Sequence, residues 1–155
     1  FLTALGSAAT WQIEGDMLTI NDAAGATVLT FQASEPASLT GTTWSAVNYN
    51  NGNEAVVSLV ADTAITATFT EDGKLNGSAS CNTFMTSYTL DGQNITIQPA
   101  ATTRKLCPGE GVMEQEAQFL AALTTAATWS ISGNDLELRT ADGALVAHFV
   151  AQAAG

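Results

Sequence analysis

The sequence predicts an α+β domain in which a mostly antiparallel rolled sheet, or a small β-barrel, is capped by one helix at about residues 110–124. Three observations support this fold class. Short stretches alternate apolar and polar residues, which is typical of half-buried strands. Asp-Gly and Asn-Gly pairs separate several of these stretches and favour the tight turns of antiparallel hairpins. One stretch has helical spacing, and a closed sheet would leave few exposed strand edges.

The strand predictions come from this alternation, as in residues 64–69, where apolar side chains fall at every second position. The segment Glu71-Asp72-Gly73-Lys74 follows and predicts a hairpin turn, because glycine accepts the positive φ angle of such turns. The predicted strands of the longer part of the chain are 42–47, 64–69, 74–80, 84–90, 94–97, 127–131, 136–139 and 145–150.

The single predicted helix follows Pro108-Gly109. Val112, Phe119 and Leu123 recur at helical spacing, which indicates one apolar face. Glutamates lie toward the N-terminal half of this segment, where negative charge complements the helix dipole. The helix therefore covers one side or one end of the predicted sheet.

Charge and composition exclude several classes of protein. The 155 residues are 46% hydrophobic, which argues against disorder, and carry a net charge of −11. Such a chain repels phosphate backbones, so we expect no nucleic-acid partner, and no apolar run reaches the ~20 residues of a membrane span. Abundant Ala, Thr, Gly and Ser with little Lys favour export from a bacterial cell; an acidic cytosolic protein is the alternative. The start at Phe1 suggests a processed chain or an excised portion.

The first and last parts of the chain repeat each other. Residues 1–33 and 119–151 align without a gap, and the matches include tryptophan, phenylalanine and glycine positions, such as Trp11 with Trp129. A tandem duplication explains this pattern, and it divides the chain into three parts. Residues 1–33 are the C-terminal fragment of an upstream copy, residues 34–38 are a linker with a proline, and residues 39–151 are a complete unit.

The fragment at residues 1–33 needs a partner. A helix end and three strands cannot bury an apolar face alone. We therefore expect this segment either to pair with an edge of the complete unit or to exchange with a neighbouring chain, in which case the protein self-associates through it.

Several short motifs of the complete unit resemble, in order and spacing, those of the META domain family, which includes the heat-inducible bacterial protein HslJ. The matching segments are LTGTTW (39–44), GSASCN (77–82), TTRKLC (102–107), EAQFL (116–120) and WSISGNDLEL (129–138). The resemblance extends over about residues 39–149. It implies a compact β-rich fold and a secreted or cell-envelope setting, and it implies no established reaction. Lys105 departs from the family, which commonly carries methionine there, so no apolar packing role is expected for it.

The two cysteines, Cys81 and Cys107, both lie in these motifs, and the chain has no others. A single disulfide is the first interpretation, and it requires an oxidising compartment. Two buried free thiols are the alternative, because cysteine packs well as a small hydrophobe. Zinc is disfavoured, because only His148 is available to join the cysteines in a site that typically needs four ligands. No metal or cofactor is expected.

Polar residues in the same motifs form a possible binding site, made of Asn82, Thr103, Arg104 and Glu116. Arg104 either pairs with Glu116 or Glu114 near the helix start, or lies open to an anion or carboxylate. Asn82 is expected to bond backbone in a turn or bulge. If these side chains face one cleft, they form a small polar site.

No catalytic constellation is visible. The sequence lacks G-x-S-x-G, G-x-G-x-x-G and phosphate-loop motifs, and many of its carboxylates fall in turns. We therefore expect a non-enzymatic, exported, HslJ-like META domain that serves in protein interaction or in envelope and stress maintenance. The alternative is a small-molecule or lipid-binding module with a cavity between sheet and helix. A third possibility, enzyme inhibition, predicts a rigid, exposed apolar loop.

Overall fold

The computed structural model describes residues 2–33 and 37–152. The chain divides into two compact units, Phe1–Glu35 and Pro36–Gly155. Most of the predicted linker, Ser34 to Pro36, lies outside the described residues. The assignment of the first unit to an upstream copy remains a prediction.

The first unit is a short helix followed by a three-stranded antiparallel sheet. Its elements are α1 (Leu2–Gly6), β1 (Thr10–Glu14), β2 (Met17–Asn21) and β3 (Thr27–Gln32). None of its described apolar side chains is buried. The helix α1 contacts β3 but is barely more than one turn long, so it is too short to form a second layer over the whole sheet.

The second unit contains, among its described residues, ten strands and one helix. They are β4 (Thr43–Asn50), β5 (Val56–Ser58), β6 (Ile65–Phe69), β7 (Lys74–Ala79), β8 (Thr83–Asp91), β9 (Asn94–Ile97), β10 (Ala101–Thr102), α2 (Val112–Leu123), β11 (Thr128–Ser132), β12 (Asp135–Arg139) and β13 (Leu145–Ala151). The predicted strands all appear, most of them shifted at an end by one or more residues. The sequence did not predict β5 and β10, which are too short to show alternation.

Eight of these strands close into an antiparallel barrel in the order β4, β6, β7, β8, β9, β11, β12 and β13, and β13 returns to pair with β4. β5 pairs with the end of β4, and β10 pairs with the start of β8. The contact between β9 and β11 is the shortest, with Thr128 opposite Asn94. The predicted fold class, a small antiparallel barrel capped by one helix, is confirmed.

Alternating side chains from these strands form the core. In β6, Ile65, Ala67 and Phe69 are buried and the threonines between them are only partly covered. Trp44 is fully buried, and its Nε1–H donates to the carbonyl of Leu39 at 3.1 Å, so its polar atom is paired. All buried apolar side chains among the described residues belong to this unit.

The helix α2 packs on β4, β7 and β13. It begins after Gly111, whose φ of 80° lies in the left-handed region that favours glycine. The Phe119 ring contacts the rings of Tyr49, Phe84 and Phe149 in edge arrangements, with centroids 6.0–6.2 Å apart. No helix in the described part of the chain is long and apolar enough to cross a membrane.

The strands β1–β3 and β11–β13 have the same internal pairing. Trp11 lies opposite Ile20 in the first set, and Trp129 lies opposite Leu138 in the second. Both sets carry an irregularity at the same place, after Ile20 in β2 and after Leu138 in β12. The aligned segments therefore share register and bulge, and their strands match in length except that β13 is one residue longer than β3.

Candidate functional site

A disulfide joins the two cysteine motifs. Cys81 follows β7 and Cys107 lies in the loop before α2, with Cα atoms 5.8 Å apart and a sequence separation of 26. The structure therefore contains the predicted disulfide, and the described residues include no free cysteine. The bond fixes the loop that carries Thr103 and Arg104 to the end of β7.

Asn82 holds the same loop by three side-chain hydrogen bonds and bonds the helix by a fourth. Its Oδ1 accepts from the Lys105 amide at 2.7 Å and from the Thr103 hydroxyl at 2.8 Å. Its Nδ2 donates to the Lys105 carbonyl at 3.1 Å and to Glu116 Oε1 at 2.7 Å. Because the side chain is almost fully buried, these bonds offset its desolvation. The expectation that Asn82 bonds backbone is confirmed.

Glu116 is a buried carboxylate on α2 that is held by Asn82. Its Oε2 accepts from the Asn82 backbone N–H at 2.8 Å, and its Oε1 accepts from the Asn82 side chain. Both oxygens are therefore paired, which a buried carboxylate requires. The bond ties the helix to the turn after β7, so Asn82, Thr103 and Glu116 are linked in one network.

Gln115, which the sequence interpretation missed, forms a second buried set of hydrogen bonds next to Glu116 on the helix. Its Oε1 accepts from the Val60 amide at 2.6 Å, and its Nε2 donates to Thr63 at 3.0 Å and Ser80 at 2.7 Å. Gln115 is 1% exposed. The available signal was a polar residue on the apolar stripe of the helix, four residues before Phe119.

The glycine of GSASCN, Gly77, is required by the close packing of two strands. A Cβ atom on Gly77 would lie 1.9 Å from the carbonyl oxygen of Thr66, so only glycine allows this approach of β6 and β7. Ser80 adopts a φ of 92°, which is unusual for a side-chain-bearing residue, in the turn that the Ala79 amide closes by donating to the Asn82 carbonyl at 2.8 Å. The motif thus encodes a close strand approach followed by a tight turn.

Arg104 is separated from the buried network. Its side chain is exposed, as are those of Lys105 and Leu106, and Leu106 is 89% exposed. The predicted pairing of Arg104 with Glu114 or Glu116 is not found among the described residues. The ion pairs in that part of the chain are Arg139–Glu137 at 2.8 Å and His148–Asp135 at 2.7 Å.

Phe119 and its aromatic neighbours occupy the space between sheet and helix, where the alternative function places a ligand cavity. An open groove of about 700 Å³ lies instead beside the outer side of α2. Its walls are Ala117, Gln118 and Ala121 of the helix and the turns near Asn51 and Asp142. In the described residues, no group of three or more His, Cys, Asp or Glu side chains is arranged to hold a metal ion.

Comparison with known proteins gives one family match and several similar folds. The META domain profile matches residues 37–153. An NMR structure of a protein from Burkholderia xenovorans is similar with a TM-score of 0.60 and 20% identity, covering 79% of this chain and 94% of that one. A crystal structure of a DUF4847 family protein from Bacteroides vulgatus has a TM-score of 0.53 and 18% identity, covering 72% and 93%. No curated protein matches. At these identities the solved structures show the fold alone.

Proposed function

We propose that this chain, which belongs to the META domain family, is a non-enzymatic, exported interaction module of the HslJ-like type that serves in the bacterial cell envelope. The proposed contact surface is the loop Thr103–Cys107. The observation that carries the proposal is that a disulfide and hydrogen bonds to Asn82 fix the backbone of this loop, while the side chains of residues 104–106 are exposed to solvent.

The anchoring involves both ends of the loop. Thr103 donates to Asn82 and accepts from the Thr83 amide, and Cys107 is bonded to Cys81. Lys105 is held through its backbone alone, so its side chain can contact a partner. A loop that is already ordered loses little conformational entropy on binding, which favours affinity.

The chemistry of the loop favours a negatively charged protein partner. Arg104 and Lys105 are two of only four basic residues in a chain of net charge −11, and they are adjacent. Leu106 beside them adds an exposed apolar side chain. Such a surface fits a partner with carboxylates around a shallow apolar depression. Nucleic acid is not the proposed partner, because the rest of the surface repels phosphate.

The proposal of an envelope or extracellular location is supported by the disulfide, which persists in oxidising compartments. The proposal that the protein contains tandem META units is supported by the shared register and bulge of β1–β3 and β11–β13. The non-enzymatic role is supported by the hydrogen bonds of the buried polar side chains. Asn82 and Glu116 bond each other, and Gln115 bonds the Val60 amide, so these groups hold the fold together.

Cross-linking and affinity capture from the envelope fraction of the source organism test the interaction. We expect a stoichiometric partner that is lost with Arg104→Ala and weakened with Leu106→Ser. Arg139→Ala is the matched control, because Arg139 is a surface arginine outside the loop. A partner that is lost equally with Arg139→Ala, or kept with Arg104→Ala, contradicts the proposed surface. Turnover of a substrate by the purified chain contradicts the non-enzymatic role.

A further inference from the structure

The three-stranded sheet of the first unit has an apolar face that its own unit covers only in part: Leu18, Ile20 and Leu29 are half-buried, and α1 contacts β3. Trp11 is 71% exposed, Ile13 60% and Phe31 42%. In β11–β13 the aligned side chains line the barrel interior or pack against it, and Phe149, the counterpart of Phe31, is fully buried. The apolar face consists of Trp11, Ile13, Leu18, Ile20, Leu29 and Phe31.

The second unit shows what covers this kind of face. There, β13 pairs with β4 along most of its length, and β11 meets β9 at Thr128. The Phe149 ring contacts Phe119 of the helix. The covering layer is thus the N-terminal half of a META barrel together with its helix.

We propose that the apolar face docks on the N-terminal half of a second META unit, which supplies a strand like β4 beside β3 and a strand like β9 beside β1. The inference rests on the proposed tandem repeat and goes further, because it identifies the surface and its partner. The shared register supports it: β3 pairs with β2 as β13 pairs with β12, so the other edge of β3 corresponds in sequence to the edge that β13 offers to β4.

One position shows that the partner differs from residues 37–124 of this chain, which contain the corresponding strands and helix. Ala147 is fully buried between Leu138 on β12 and Tyr49 on β4. The aligned residue in the first unit is Leu29, which lies opposite Ile20. A leucine against Tyr49 would overpack this layer. The partner therefore carries a smaller side chain at the Tyr49 position, and this size difference disfavours exchange between identical chains.

Competitive capture tests the proposal with the full 155-residue chain. The chain is co-expressed with equal amounts of two probes that include the whole helix, residues 37–124 with Tyr49 and residues 37–124 with Tyr49→Val, and mass spectrometry gives their ratio in the purified complex. We expect one probe per chain and an excess of roughly tenfold for the Tyr49→Val probe, which removes the overpacking.

Two variants of the full chain make the result specific to the first unit. Leu29→Ala should reverse the preference toward the Tyr49 probe. Phe31→Ser should abolish capture while the barrel keeps its thermal transition, because Phe31 lies outside the barrel unit. Capture that survives Phe31→Ser means that the probe has displaced β11–β13, and this overturns the proposal.

Three further outcomes also overturn it: equal capture of both probes, capture of neither, or dimerisation of the chain alone that Phe31→Ser removes. The last outcome identifies the face as a self-association surface. None of these results affects the proposed function, which is tested through Arg104 in the loop Thr103–Cys107. Conversely, if Arg104→Ala does not affect partner capture, the expected ratio of the Tyr49→Val probe to the Tyr49 probe stays the same.

Discussion

The segments at residues 2–33 and 120–151 have nearly the same sequence pattern and the same strand register, but only the second has a core around it. Phe149 is fully buried in the barrel, whereas Phe31 at the aligned position is 42% exposed. The local pairing is the same because turns and alternation specify it. Burial differs because it depends on strands that are distant in sequence, and most of the stabilising free energy comes from burial.

The largest expected difference between the two segments is at their shared phenylalanine. Phe149→Ala should lower the free energy of unfolding of the barrel by about 3–5 kcal/mol, because it removes a fully buried ring that contacts Phe119. Phe31→Ala should leave that transition unchanged within about 0.5 kcal/mol. Urea denaturation followed by tryptophan fluorescence measures both. Equal effects of the two substitutions would contradict the comparison.

The disulfide distinguishes the two units next, because it lies in the barrel unit. The double variant Cys81→Ser/Cys107→Ser should lower barrel stability by about 3.5 kcal/mol in the loop-entropy account, given the 26-residue separation. The amide signals of residues 2–33 should not shift. Denaturation and NMR spectra of the oxidised chain and of the variant check both statements, and shifts throughout β1–β3 would show that the units depend on one another.

The position of Ala147 provides the third comparison. Ala147→Leu makes the second segment resemble the first at this site, and we expect a loss of about 1–3 kcal/mol from overpacking against Tyr49. Combining it with Tyr49→Val should recover part of the loss. Leu29→Ala in the first unit serves as the control and should not change barrel unfolding. Thermal denaturation of the unchanged chain, the two single variants and the double variant tests whether side-chain size limits this site. A double variant less stable than Ala147→Leu would contradict the overpacking account.

The smallest expected difference between the two units is in how their stability responds to alkaline pH. Burial, followed by the charges of Asp72 and Glu71, raises the pKa of Tyr88 above its usual value of 10.0, and its hydroxyl donates to the Thr70 carbonyl at 2.6 Å. Burial and the charge of Glu114 likewise raise the pKa of Tyr49. A raised pKa in the folded state means that stability is complete below the unfolded value and falls as pH increases through the folded value.

Barrel stability should therefore decline above about pH 10. Residues 2–33 contain no tyrosine and should show no matching change. A pH series of denaturation curves, with Tyr88→Phe as the control, checks this. An unchanged pH dependence in Tyr88→Phe would mean that Tyr88 does not contribute to the decline.

Local features of the fold were predictable from the sequence, and long-range ones were not. The β9 strand and the region of α2 follow from alternation and helical spacing. The two-residue strand β10 and the meeting of Thr128 with Asn94 depend on how distant strands curve toward each other, and no local pattern encodes that.

The candidate site shows the same limit. Motif positions brought Asn82, Thr103 and Glu116 to attention, and the structure links them by hydrogen bonds. The sequence could not show that the Arg104 side chain is exposed and outside this network, because burial in a loop depends on contacts with elements distant in sequence. Gln115 was missed because a glutamine in a helix is usually solvent-exposed, and its partners Val60 and Ser80 come from distant loops.

The short contact between β9 and β11 has a consequence for the motions of the barrel. Thr128 opposite Asn94 is flanked by the bonds from the Ile95 amide to the Ala127 carbonyl and from the Trp129 amide to the Gln93 carbonyl, each 2.9 Å. Every other pair of neighbouring barrel strands is joined by at least three paired residues. We therefore expect local opening of the barrel to begin between β9 and β11. In this opening β11–β13 would move outward as a unit while the longer pairing of β13 with β4 is kept.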